Sequence, residues 1–95
     1  MSEWTFLTNH AQVLLCVFRN GGRMTAREIA ARVGVTERAV QRIVDDLEEA
    51  GYITRFRLGR QNQYEIHRDL PLRHPAQRGL AVHELLELLT QSDHE

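Results

Sequence analysis

The feature that most constrains this chain is a tightly punctuated stretch between Thr25 and Gly51. Thr25-Ala26-Arg27-Glu28 has the form of a capping box, with a threonine whose hydroxyl caps a helix and a glutamate three residues on that reaches back. Ile29, Ala30 and Val33 then form the inner stripe of a short helix, and Gly34 can end it in a left-handed conformation. Val35 leads into Thr36, a second N-cap, and a longer helix runs from about Glu37 to Ala50 before Gly51 stops it. Counting Ala26 as the first position, Ala30 is fifth, Gly34 ninth, Val40 fifteenth and Ile43 eighteenth. A small residue, a turn glycine and two apolar residues in those places let two helices cross closely through a short turn.

The longer helix divides cleanly. Ala39, Val40, Ile43, Val44, Leu47 and Ala50 fall on one side; Glu37, Arg38, Gln41, Arg42, Asp45, Asp46, Glu48 and Glu49 fall on the other. A helix upstream is predicted to start at Asn9, with Gln12 in the capping-box position, and to stop at Gly21-Gly22. Its apolar residues Ala11, Val13, Leu14, Leu15, Val17 and Phe18 span an arc wider than one contact needs. It should therefore be covered on two sides, by its own domain and by a fourth helix or a second subunit. Cys16 is placed on its polar edge beside Gln12, as an inert small residue. Arg23-Met24 reads as a short strand-like connector, and Trp4, Phe6 and Leu7 as an apolar cover over the helices.

Downstream, Tyr52–Leu58 and Gln63–His67 are rich in β-branched and aromatic residues around the turn chemistry of Gly59-Arg60-Gln61-Asn62. A three-residue loop from Gly59 to Gln61 would set Phe56 opposite Tyr64 and Arg55 opposite Glu65. Asp69 to Pro75 is extended, and a fourth helix is expected over about 76–91, with Ala81, Val82, Leu85, Leu86, Leu88 and Leu89 on one side.

Helix, connector, helix, turn, helix, hairpin is the order of a winged helix-turn-helix. The run from Thr25 to Ile53, Thr-Ala-Arg-Glu-Ile-Ala-Ala-Arg-Val-Gly-Val-Thr-Glu-Arg-Ala-Val-Gln-Arg-Ile-Val continuing Asp-Asp-Leu-Glu-Glu-Ala-Gly-Tyr-Ile, resembles bacterial transcriptional regulators of the MarR and ArsR kind. The resemblance covers residues 9–67. It implies a mainly α fold with a small β-hairpin (α+β), built as a three-helix core plus wing and a C-terminal helix. It further implies that the third helix enters a DNA major groove and that the hairpin tip touches the minor groove or flanking phosphates.

The charge distribution permits that use. The chain carries twelve arginines, no lysine and thirteen acids, for a net charge of −1. Residues 19–60 hold nine arginines against six acids, a local +3; residues 61–95 hold three against six, a local −3; and Glu3 adds −1. On the third helix, Thr36 can help hold a phosphate, Arg38 and Gln41 are able to read guanine and adenine edges, and Arg42 lies toward the backbone. At the hairpin, Arg57, Arg60, Gln61 and Asn62 are candidates, with Arg60 foremost. Asp45, Asp46, Glu48 and Glu49 would repel phosphate, so insertion should use the N-terminal end of the helix. Arginines early and acids late also oppose the helix dipole, unless Arg42 and Asp46 simply pair on the surface. A pairing of Arg55 with Glu65 is the corresponding surface reading of the hairpin.

Other functions find little support. Ninety-five residues suit one domain over residues 1–95. The apolar run Val13 to Phe18 is too short to span a membrane, and no basic segment precedes Trp4, so neither membrane insertion nor a signal peptide is expected and a cytoplasmic setting is. One cysteine forms no internal disulfide. His10, His67, His74, His83 and His94 lack ligand spacing, so no metal or other cofactor is expected; His83 and Glu87 could share only a surface ion. There is no phosphate loop, nucleophile elbow or carboxylate pair, hence no enzyme. The partners expected are double-stranded DNA and a second copy of the chain, the homodimer forming through Val82, Leu85, Leu86 and Leu89 with help from the first helix. The alternative is a winged-helix module that binds a protein and no nucleic acid. No effector domain is visible, so a signal would act at the dimer interface or from another protein.

Overall fold

The structure is a computed structural model, and it describes residues 4–91. The Met1-Ser2-Glu3 start, His94 and the other residues of 92–95 lie outside the described residues. Helix α1 (Asn9–Arg19) is followed by α2 (Ala26–Val33), α3 (Glu37–Glu49), an antiparallel hairpin of β1 (Ile53–Leu58) and β2 (Gln61–Ile66), a 3-10 turn at Pro75–Gln77, and α4 (Val82–Gln91). This is the winged-helix arrangement.

The local chemistry explains these boundaries. Thr25 accepts a hydrogen bond from the Glu28 amide at 3.1 Å while the Thr25 amide donates to the Glu28 carboxylate at 3.0 Å, so the capping box is complete. Gly34 ends α2 at φ +87°, and its amide donates to the Ala30 carbonyl. Thr36 caps α3 by accepting from the Ala39 amide at 3.0 Å. The cap of α1 is Thr8, one residue before the expected Asn9; its hydroxyl accepts from the Ala11 amide at 3.2 Å.

Val40, Ile43, Val44 and Leu47 of α3 pack against Ile29 and Ala30 of α2 and the run Val13–Val17 of α1. The whole turn of α1 from Val13 to Val17 is buried because α2, α3 and α4 all contact it. That corrects the placement of Cys16 on a polar edge: it is buried, with its Sγ 3.5 Å from the Met24 sulfur. Burial raises the Cys16 thiol pKa above its ordinary value, against the opposing pull of Arg32 and Arg19. Arg23-Met24 forms no strand. One backbone bond from the Tyr64 amide to the Gly22 carbonyl, at 3.1 Å, ties β2 to this connector instead.

Two further expectations are corrected. The hairpin closes through a two-residue turn, Gly59-Arg60, and pairs Arg55 with Tyr64, Phe56 with Gln63, Arg57 with Asn62 and Leu58 with Gln61. A one-residue slip exchanges the two faces of a strand. Ile53, Arg55 and Arg57 therefore share a face with Ile66, Tyr64 and Asn62, while Phe56 and Leu58 are exposed on the other. The fourth helix begins at Val82 rather than near 76. Residues 70–72 take up the backbone groups that an earlier start would have used: the Leu72 amide donates to Leu80, the Val82 amide to Leu70, and Pro71 bridges Ala81. Tyr52 holds this connector by donating its hydroxyl proton to the Pro71 carbonyl at 2.5 Å. Trp4 and Phe6 are exposed rather than laid over the described helices; they stack edge-to-face on each other at 5.0 Å.

Candidate nucleic-acid interface

The outer face of α3 begins at the Thr36 cap. The Thr36 oxygen is engaged by the Ala39 amide, which leaves its hydroxyl proton available to donate. Arg38, Gln41 and Arg42 follow on the exposed face, and none of the three has a partner among the described residues. Arg27 of α2 lies 3.6 Å from Glu37 in a well-solvated pair that flanks this face. Free guanidinium forks beside a helix N-terminus are suited to bidentate contact with anionic oxygens or with acceptor pairs on a base edge.

The other half of the same face is already occupied. Asp46 does not turn to Arg42; its carboxylate meets the His10 ring of α1 at 2.8 Å. Arg55 of β1 points inward, not toward Glu65. One of its terminal nitrogens donates to Asp45 at 2.7 Å and to Glu48 at 3.1 Å. Its backbone amide adds a bond to the second Glu48 oxygen at 3.3 Å. The hydrogen bond to Asp45, together with the charges of both acids, raises the Arg55 pKa, and partial burial opposes this. Three of the acids expected to repel phosphate are therefore internally paired, whereas the arginines of the first half of α3 are not.

The hairpin brings a second set alongside. Arg57 and Asn62 are paired across the ladder on the face that carries Arg55, and Arg60 and Gln61 stand at the tip. All four are exposed, and their side chains have no partner among the described residues. The sequence-predicted residues thus form two exposed groups, Thr36, Arg38, Gln41 and Arg42 on α3 and Arg57, Arg60, Gln61 and Asn62 on the hairpin. Missed from sequence were Asp45, Glu48 and Arg55, which join the two elements. Their signal was the parity of Arg55 with Ile53: alternate residues of a strand share a face, so an inward Ile53 carries Arg55 inward with it.

On α4 the four leucine-face residues divide. Val82 and Leu86 are buried in their own chain. Leu85 and Leu89 are half-buried beside a groove of about 210 Å³ between α1, α4 and the 70–73 connector, and Leu88 is exposed. Among the described residues, no group of three or more His, Cys, Asp or Glu is placed to hold a metal, and no helix is long and apolar enough to cross a membrane. His83 approaches Glu87 at 3.3 Å, and Glu87 in turn meets Arg68 at 2.5 Å.

The fold and this surface define a winged-helix protein. The solved structure of T. potens IscR superposes with a TM-score of 0.63 over 97% of this chain and 93% of that one, at 15% sequence identity, a likeness of fold. Residues 6–66 match the family described as a domain of unknown function, DUF7343, and the chain belongs to that family. It is also 30% identical over 60 residues to the uncharacterized protein MJ1254 of Methanocaldococcus jannaschii; the match spans 63% of this chain and 13% of that relative's length.

Proposed function

We propose that this chain is a sequence-specific, double-stranded DNA-binding transcriptional regulator of MarR- or ArsR-like design that acts in the cytoplasm. The first half of α3 enters the major groove, and the wing lies on the minor groove or backbone. Arg38 and Gln41 read base edges; Thr36, Arg42, Arg57 and Arg60 meet phosphate or sugar, with Gln61 and Asn62 beside them. The observation that carries this reading is the asymmetry of α3. Its N-terminal cations are exposed and unpartnered, while Asp45, Asp46 and Glu48 are held by Arg55 and His10.

The regulator acts as a homodimer on a two-fold site. The exposed Leu88 and the groove edged by Leu85 and Leu89 support a second copy on α4 and α1. A winged-helix protein-binding module is the second reading, favoured by the exposed Phe56 and Leu58 on the outer face of the wing.

The test is a fluorescence-anisotropy titration with random-sequence duplex at low and moderate salt, followed by selection of bound sequences. Three phosphate contacts per chain give a slope of about −2.7 in log–log form, or roughly 40-fold weaker binding per chain for a fourfold rise in salt. Salt-independent binding, or none, would support the protein-binding module instead. Size-exclusion chromatography with light scattering tests the dimer; a stable single-chain mass at micromolar concentration refutes it.

A further inference from the structure

We propose that Arg55 is a positioning residue: it clamps the wing to the second half of α3 and neutralises Asp45 and Glu48, and it makes no phosphate contact of its own. The proposal rests on the DNA-binding reading for its functional half, and on geometry alone for its structural half.

Arg55 lies in the most cationic part of the chain, where an arginine invites assignment to DNA. Its surroundings assign it otherwise. Its side chain is about one-quarter exposed, and its guanidinium is committed to two carboxylates on successive turns of α3, at 2.7 and 3.1 Å. Its backbone amide is bonded to the same Glu48 carboxylate, so main chain and side chain of one β1 residue hold one α3 residue. The hairpin has only two strands, and a two-stranded ribbon has little stability of its own in water. Its other anchors include Ile53 and Tyr64 in the core and the Tyr64–Gly22 backbone bond, which holds β2 to the connector after α1. Arg55 adds an attachment on the α3 side, two residues before Arg57 on the same face.

The clamp has an electrostatic consequence as well. Asp45 and Glu48 are on the helix proposed to approach DNA. Without Arg55 they would present two uncompensated negative charges to the duplex. Loss of Arg55 should therefore weaken binding through those acids and through a looser wing.

The experiment compares Arg55→Met, which keeps the apolar stem, in two backgrounds of the full chain: the natural sequence, and one carrying Asp45→Asn with Glu48→Gln. Amide hydrogen exchange is measured without DNA, and anisotropy with random-sequence duplex. In the natural background, Arg55→Met should speed exchange of the hairpin amides about three- to tenfold relative to those of α1 and α2. It should also weaken duplex binding, and that loss should shrink to within about twofold in the neutralised background, because partners in one network are not additive. An equal loss in both backgrounds, with the salt slope shallower by about one unit, would make Arg55 a direct phosphate contact and overturn the proposal. Unchanged hairpin exchange would overturn the clamp. If the natural chain binds no duplex, the DNA reading falls, and hairpin exchange alone then decides for or against the clamp.

Discussion

Replacing Gly22 with alanine should be among the most damaging single-methyl changes available to this chain. Gly22 follows α1, is buried, and has φ +81°. Two costs are separable. A left-handed backbone with a Cβ costs about 1–2 kcal/mol at any site. At Gly22 the new Cβ would also fall far inside the 3.0 Å that real Cβ atoms respect from the backbone carbonyl oxygen of Tyr64, which is no flexible side-chain end. Relief requires β2 to move away, which forfeits the 3.1 Å bond from the Tyr64 amide to Gly22, worth about 1 kcal/mol net, and loosens the burial of Tyr64. The sum is about 3 kcal/mol or more, and at roughly 4–8 °C per kcal/mol for a domain of this size the midpoint should fall by about 12 °C or more. Two controls isolate the terms. Gly34 has nearly the same φ, +87°, but open space where a Cβ would go, so Gly34→Ala should cost only the backbone term, about 1–2 kcal/mol. Gly79 has neither constraint, so Gly79→Ala should be neutral or stabilise by up to about 1 kcal/mol. Far-UV circular dichroism during thermal and urea unfolding measures all three. Gly22→Ala and Gly34→Ala within about 0.5 kcal/mol of each other would refute the close approach of β2 to the connector.

Arg38→Ala should lower duplex affinity by about 1–3 kcal/mol and relax base preference at one position of the selected site. Arg60→Ala should weaken all duplexes alike and make the salt slope shallower by about one unit. Leu86→Ala should cost about 2–5 kcal/mol of unfolding stability, because Leu86 is sealed in the core, whereas Leu88→Ala should leave stability nearly unchanged and weaken self-association in light scattering. Burial raises the pKa of both Cys16 and Tyr64 from ordinary values of 9.0 and 10.0. The folded state then holds these protons more tightly than the unfolded chain. Stability should be level below about pH 9 and fall as pH climbs through the alkaline range, and Cys16→Ala should reduce the early part of that loss in urea titrations run at stepped pH.

How much of this was readable in advance depended on how local the determining physics is. Thr25 with Glu28, Gly34 and Thr36 are short-range signals, and each sits where the spacing puts it. The inner face of α3 followed from periodicity alone. The hairpin was legible as a hairpin but not in register. Setting Phe56 opposite Tyr64 gives the more apolar inner face, yet the chain places Arg55 there, because Asp45 and Glu48 of another element satisfy it. The only periodic trace of that ion pair is the face Arg55 shares with the buried Ile53; its partners on another element leave none. The late start of α4 has a similar origin, since the Leu80 carbonyl and the Val82 amide bond to Leu72 and Leu70 across the loop. Cys16 was misplaced because the burial of α1 on several sides could be inferred, but which residue closes each side could not. At the candidate interface the residue types were legible; their lack of internal partners, and the internal pairing of the neighbouring acids, needed coordinates.

The most direct test of the central claim is a two-dimensional amide NMR titration of the isotope-labelled chain with a selected duplex. If α3 and the wing hold the duplex, the amides of Thr36 to Arg42 and of Arg57 to Asn62 shift or broaden together in one saturable step, while those of Leu85 to Leu89 stay in place. Perturbations confined to α4 and the groove beside it, or an unchanged spectrum at saturating duplex, would contradict it.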